Sequence, residues 1–289
     1  MPPSRPRRSC LYMPGANAKA LDKARSLPAD TLIFDLEDAV APEAKADARA
    51  AILATMEHGG YGQREIIIRA NALATPWGRD DVFAAAKAKP DGVLFPKIDS
   101  AADIEAADAA LREAGAPEAT AIWAMIETPK AILDIRAIAK SAERTRLTTF
   151  VMGVNDLAKD MRAAQTDDRT AFLAALSLSV IAARAYGVTP IDGVYNDIQN
   201  ATGFEAICRQ GLALGFDGKT LIHPDQIASA NRVFAPGADE VAWARKIIAA
   251  FELPENKGRG VMTLDGKMVE LLHADMARRT VAIAEAIGG

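Results

Sequence analysis

Thr31-Leu32-Ile33-Phe34-Asp35-Leu36-Glu37-Asp38-Ala39-Val40 is an apolar run that ends in three carboxylates, and Pro42-Glu43-Ala44-Lys45 follows at once. A short apolar run that gives way to a helical start reads as a buried strand feeding a helix, one βα unit. Carboxylates crowded at the mouth of a buried strand repel one another and lose hydration, so cations, hydrogen bonds or a bound ion must offset them. The stretch therefore predicts both a parallel sheet and a functional edge, here read as bordering a divalent-metal site.

The same pattern recurs along the chain. Strand-like runs fall at 10–13, 31–36, 65–70, 92–97, 121–127, 147–154, 188–194 and 216–223, with Ala-rich amphipathic patterns starting near Asn17, Glu43, Gly78, Ala102, Pro129, Thr170, Gly203 and Asp225. Polar residues close successive strands at Asp35, Arg69, Lys97, Glu127, Asp156 and Asp192, 28 to 36 residues apart, which is one βα unit each time. Eight such units predict an α/β protein, a (β/α)8 TIM barrel, whose strand carboxyl ends all open on one catalytic face. An open doubly wound sheet would call for a glycine-rich turn after its first strand, and Pro14-Gly15-Ala16-Asn17 is not a GxGxxG turn.

The pattern changes at Pro236. A helix near 239–251, the loop Pro254-Glu255-Asn256-Lys257-Gly258-Arg259-Gly260, a hairpin through Leu264-Asp265-Gly266-Lys267 and a last helix form a C-terminal extension. The expected division is a catalytic barrel over 1–235 and a helical and hairpin extension over 236–289, either a mobile lid or a tail that serves an oligomer interface.

Composition narrows the function classes. Half of the 289 residues are hydrophobic and the net charge is −4, which supplies a core and no global field to attract nucleic acid. Cys10 and Cys208 offer neither a disulfide framework nor a CxxC site, so a reducing compartment is expected. Met1 to Arg8, with Arg5, Arg7 and Arg8 among three prolines, reads as a short disordered arm; a basic, acid-poor transit peptide is the alternative, and no secretory apolar core follows. No apolar run approaches the ~20 residues of a membrane helix, so a cytoplasmic protein without a membrane partner is expected.

Glu127 closes the apolar run Ala121-Ile122-Trp123-Ala124-Met125-Ile126, and Asp156 follows Gly153-Val154-Asn155 one unit later. Two oxygen ligands on neighbouring strands, completed by water and substrate, suit Mg²⁺, which dehydrates reluctantly. A salt bridge for Glu127 and a helix N-cap for Asp156 are the plainer roles, but Asp35, Glu37 and Asp38 on the same face favour the metal. Arg69 brings a planar fork that suits either a substrate carboxylate or an ion pair with Asp35 or Glu37. Lys97, at a strand end, raises Schiff-base chemistry, although the surrounding carboxylates argue for an ion-paired lysine. Gly218-Lys219-Thr220 lacks the first glycine of a P-loop and has the wrong element order, and His223 reads as a packed, hydrogen-bonded residue rather than a base.

Seven motifs taken in order, Arg8-Ser9-Cys10-Leu11-Tyr12-Met13-Pro14-Gly15-Ala16-Asn17, Asp35-Leu36-Glu37-Asp38-Ala39-Val40, Ile68-Arg69-Ala70-Asn71, Phe95-Pro96-Lys97, Ile126-Glu127-Thr128-Pro129, Gly153-Val154-Asn155-Asp156-Leu157 and Gly215-Phe216-Asp217-Gly218-Lys219, resemble the citrate lyase β-subunit/malyl-CoA lyase family of the HpcH/HpaI aldolase superfamily. The resemblance implies a trimeric or hexameric TIM barrel that cleaves or forms a carbon–carbon bond between an acyl thioester and a keto acid. It implies Glu127 and Asp156 as Mg²⁺ ligands, with Glu37 and Asp38 holding metal-bound water. It further implies Arg69, Glu127, Gly153, Asn155 and Asp156 around the substrate, and Arg8, Tyr12 and Lys19 toward coenzyme A.

The family's lid aspartate, followed by proline, corresponds here to Glu270 and Leu271 in Gly266-Lys267-Met268-Val269-Glu270-Leu271, a reach longer by about 1.5 Å. The expected activity is a Mg²⁺-dependent lyase for a malyl-, citramalyl- or citryl-type CoA thioester, with Arg69 and Glu270 catalytic. A metal-dependent aldolase for a free hydroxy-keto acid or a carrier-protein thioester, and a catalytically silent metabolite-binding subunit, are the alternatives.

Overall fold

Eight short strands, β1 Ser9–Pro14, β2 Thr31–Asp35, β3 Glu65–Arg69, β4 Gly92–Phe95, β5 Ala121–Ile126, β6 Leu147–Met152, β7 Thr189–Asp192 and β8 Gly218–Leu221, pair in parallel in sequence order, and β8 closes on β1. The computed structural model describes residues 5–256 and 258–288; Met1 to Ser4 of the expected arm, Lys257 of the expected loop and the final Gly289 lie outside them. The expected (β/α)8 barrel is the observed fold. Several strands end sooner than their apolar runs. Lys97 turns the chain into the left-handed region at φ 55°, and Val154 already opens the helix Val154–Met161.

Side chains alternate across a strand, so residues two apart share a face. Cys10, Ile33, Ile67, Leu94, Trp123, Met125, Val151 and Ile191 fill the barrel interior. Two positions further along their chains stand Tyr12, Asp35, Arg69 and Glu127, which the same alternation delivers to the carboxyl-end mouth. The opposite mouth is closed by a charged plug. Arg7 grips Glu65 with Nε to Oε2 and Nη2 to Oε1, each at 2.7 Å, and lies 5.1 Å over the Trp123 ring.

Helices rich in alanine, among them Lys45–His58, Ala101–Glu113 and Leu173–Ala185, cover the outside. The last of the strand-end acids follows a different rule from the others. Asp192 adjoins the inward Ile191 and so faces this outer layer, where it is fully buried between Arg169 (Nη1 to Oδ1, 2.7 Å) and the Lys219 ammonium (3.0 Å). The expectation that it shares the catalytic face does not hold, because one step along a strand reverses the face.

The described residues divide into two compact units, Arg7–Asn231 and the segment from Arg232 onward with Arg5 and Pro6. The second unit contains the helix Ala238–Glu252, the antiparallel pair β9 Val261–Leu264 and β10 Lys267–Glu270, and the helix Leu271–Gly288. Asp265 and Gly266 both have positive φ, as a tight two-residue hairpin turn requires. Its core gathers Ala244, Ile247, Val269, Ala274 and Ala277. No described helix is long and apolar enough to cross a membrane.

Candidate active site

Arg69 is the hub of the mouth. Its Nε donates to Asp35 Oδ1 at 2.7 Å and its Nη2 to Oδ2 at 2.6 Å, while Nη1 lies 2.7 Å from Glu37 Oε2 and 3.4 Å from Asp38 Oδ2. The guanidinium also lies 4.9 Å over the Tyr12 ring. Burial pulls its pKa down, but Asp35 outweighs burial and holds it well above the ordinary value, so Arg69 stays charged. One guanidinium cannot neutralise three carboxylates. Burial pushes Glu37 up to about 8 against the opposing charge of Arg69, with Asp38, Glu127 and Asp35 adding repulsion.

The acidic loop is held from behind. Asp35 accepts the backbone N–H groups of Glu37 (2.8 Å) and Ala39 (3.1 Å), so the strand-end carboxylate folds its own loop around itself. Buried Lys45 donates to the Leu36 and Glu37 carbonyls at 2.7 Å and to Asn71 Oδ1 at 2.9 Å. Asn71 in turn donates to the Leu36 carbonyl and is fixed by Asp81, which pairs with Arg49. Sequence reasoning missed this network, since Lys45 and Asn71 are linked only by the fold.

Glu127 and Asp156 converge on one cation. The Lys97 ammonium lies 3.3 Å from Glu127 Oε1 and 2.5 Å from Asp156 Oδ1, and the Lys97 backbone N–H donates to the same Glu127 oxygen at 2.7 Å. Burial would lower the Lys97 pKa, but its bonds to Asp156 and Glu127 hold it raised; burial raises Glu127 against the opposing charge of Lys97. A charged, ion-paired lysine is the opposite of what a Schiff base needs. Gly153 is required here, because a Cβ would fall on Glu127, 2.6 Å from Oε2. Among the described residues no third acid, His or Cys completes a metal cluster. Two carboxylates already gathered around one positive charge fit a hard divalent ion that keeps water and substrate as its remaining ligands.

The remaining candidates separate. Asn155 stands at the rim in a reciprocal amide pair with Asn196 (2.8 and 3.2 Å) and accepts from Gln165 at 3.1 Å; neither partner carries a sequence signal. Tyr12 lines the mouth, and Lys19 is exposed on Ala18–Lys23, the helix after β1. Arg8 does not join them. It precedes β1 at the opposite end of the barrel and forks onto Asp30 at 2.7 and 2.8 Å, so the structure does not bring it together with Tyr12 and Lys19. His223 is partly exposed and its Nδ1 accepts the Asp225 N–H at 3.3 Å, a cap for the turn that follows. Within its own unit Glu270 ends β10, and its N–H donates to His273 Nδ1 at 2.9 Å. Lys219 is buried against Asp192 and the Gly193 carbonyl, no phosphate-binding position.

A cavity of about 380 Å³ opens on these groups, walled by Tyr12, Asp35, Arg69, Gly153, Asn155 and Asp156 among others. A closed parallel barrel with such a charged cavity at its carboxyl-end mouth defines a barrel enzyme. The chain belongs to the HpcH/HpaI aldolase/citrate lyase family, which it matches over residues 8–224. It is accordingly an enzyme of a carbon–carbon lyase family, related to citrate lyase β-subunits and malyl-CoA lyases. It is 49% identical to a (3S)-malyl-CoA thioesterase of Cereibacter sphaeroides strain KD131, over 98% of this chain and 96% of that protein. With the citrate lyase subunit beta of Escherichia coli K12 it shares 37% identity, over 99% and 95%. Its fold resembles that of protein CitE from Mycobacterium tuberculosis in complex with magnesium, acetoacetate and coenzyme A, with a TM-score of 0.73 and 28% identity over 94% of this chain and 97% of that one.

Proposed function

We propose that the protein is a Mg²⁺-dependent enzyme of malyl-type CoA thioesters that cleaves, or in reverse forms, the carbon–carbon bond between an acetyl-CoA unit and a small keto acid. The observation that carries the reading is the convergence of Glu127 and Asp156 on one cation beside Arg69, at a cavity wide enough for a small hydroxy acid. Glu127 and Asp156 would hold the ion, and Glu37 and Asp38 would orient its waters. Bound there, the ion would supply positive charge to offset the negative charge of the acid.

The chain's own groups do the rest. Arg69, locked in place by Asp35 and Tyr12, holds an oxygen on which negative charge grows. The hydroxyl proton leaves to a base, the carbon–carbon bond breaks, its electron pair passes to the thioester as an enolate, and the enolate carbon then takes a proton. Glu270 is the proposed proton carrier, and the C-terminal unit the proposed lid and contact surface of a homotrimer or hexamer. Lys19 and Tyr12 are the proposed contacts to coenzyme A; Arg8 is not among them.

A second reading keeps the substrate class and changes the bond: thioester hydrolysis, favoured by the malyl-CoA thioesterase relative. Products separate the two. Incubated with (3S)-malyl-, citramalyl- and citryl-CoA in Mg²⁺, the enzyme is expected to release acetyl-CoA and a keto acid, and Glu270→Ala to lose far more of this than Glu270→Asp. Free thiol and intact hydroxy acid would assign hydrolysis instead, and no turnover of any of the three would reject the substrate class.

A further inference from the structure

Glu127 is buried and paired with a cation of the chain itself. Its side chain is 2% exposed, its Oε1 takes both the Lys97 N–H and the Lys97 ammonium, and Gly153 packs against its other oxygen. The double hold depends on backbone geometry. Lys97 sits in the left-handed region at φ 55°, a conformation uncommon outside glycine, and this turn lets main chain and side chain meet one carboxylate. The Lys97 side chain is 41% exposed, so its ammonium has water to move into, whereas Glu127 does not.

We infer that Lys97 is a resident cation of the Glu127–Asp156 pair, which a divalent ion must displace before both carboxylates can bind it. The inference rests on the metal role proposed for that pair. With the ammonium in place, an arriving ion meets a like charge at contact distance and finds Glu127 Oε1 already occupied. Once the Lys97 side chain swings out, Glu127 keeps only the Lys97 backbone N–H, and the two carboxylates face the place the ammonium has left. The lysine therefore keeps the acids together without metal, and it lowers apparent metal affinity by the fraction of molecules in which it has moved aside. It acts through the two acids and is a positioning residue.

Lys97→Met and Lys97→Gln remove the charge, while Lys97→Arg keeps it. Binding of Mn²⁺, followed by the electron paramagnetic resonance of the free ion, should tighten roughly tenfold in K97M and K97Q and much less in K97R. In EDTA the two neutral variants should melt below the wild type, because the acids then repel with nothing between them, and saturating Mg²⁺ should close that gap. Folded K97M and K97Q that bind Mn²⁺ no tighter than the wild type, or a melting gap that persists in saturating Mg²⁺, would overturn the inference. Failure of the underlying metal reading is seen separately in Glu127→Gln. If E127Q binds Mn²⁺ as the wild type does, the metal site itself is wrong; if E127Q loses Mn²⁺ while K97M is unchanged, only the role of Lys97 is.

Discussion

Glu37 meets only one nitrogen of Arg69, since the guanidinium gives its Nε–Nη2 edge to Asp35. Its folded pKa of about 8 lies above the ordinary 4.5, so between these values the folded protein holds a proton that the unfolded chain has lost. That contribution to stability is complete below pH 4.5 and disappears as pH rises through 8. Denaturant unfolding from pH 5 to 9 should therefore show the stability of the wild type relative to Glu37→Gln falling by up to about 1.4 kcal/mol per pH unit inside this window. A difference that stays flat, or grows with pH, would contradict the assignment. At this scale the sequence was legible in kind. An arginine and several acids closing adjacent strands announce ion pairing, and the structure supplies what spacing does not, namely which acid takes the fork and which is left over. Lys97 was legible only as an ion-paired lysine, because nothing in Phe95-Pro96-Lys97 signals a left-handed backbone at a residue other than glycine.

The element that shapes the mouth is the loop after β2, and a buried lysine organises it. Among the described residues Lys45 meets no carboxylate; it satisfies two loop carbonyls and Asn71. Lys45→Met would fill the space but leave the Glu37 carbonyl and Asn71 Oδ1 without this donor, at a cost of about 2–4 kcal/mol. Thermal or urea unfolding of K45M should show that loss, together with weaker metal binding through a loosened loop; a variant as stable as the wild type would mean that water replaces the ammonium. The strands were legible because polar residues end each apolar run, and their boundaries less so, because Lys97 and Val154 leave the sheet for local reasons. Asp192 shows where strand-end logic fails. It has the residue type and spacing of its neighbours in the series, yet sits one step out of phase with the inward Ile191.

For the whole molecule, the barrel delivers Tyr12, Asp35, Arg69 and Glu127 from separate strands to one mouth through the period-two alternation of its interior residues. The resemblance of seven ordered motifs anticipated this family, whereas the bond that is broken depends on groups that motifs do not fix, with Glu270 the proposed one. Glu127 and Asp156 are proposed to make the chain a metal-dependent enzyme of CoA thioesters. Turnover of (3S)-malyl-CoA, followed with Mg²⁺, with EDTA and after Mg²⁺ is restored, in the wild type beside Glu127→Gln, tests it most directly. The expected result is activity that EDTA abolishes and Mg²⁺ restores, reduced at least roughly 100-fold in E127Q, as loss of a group that positions the reacting atoms produces. Turnover that persists in EDTA, or that E127Q retains, would contradict it.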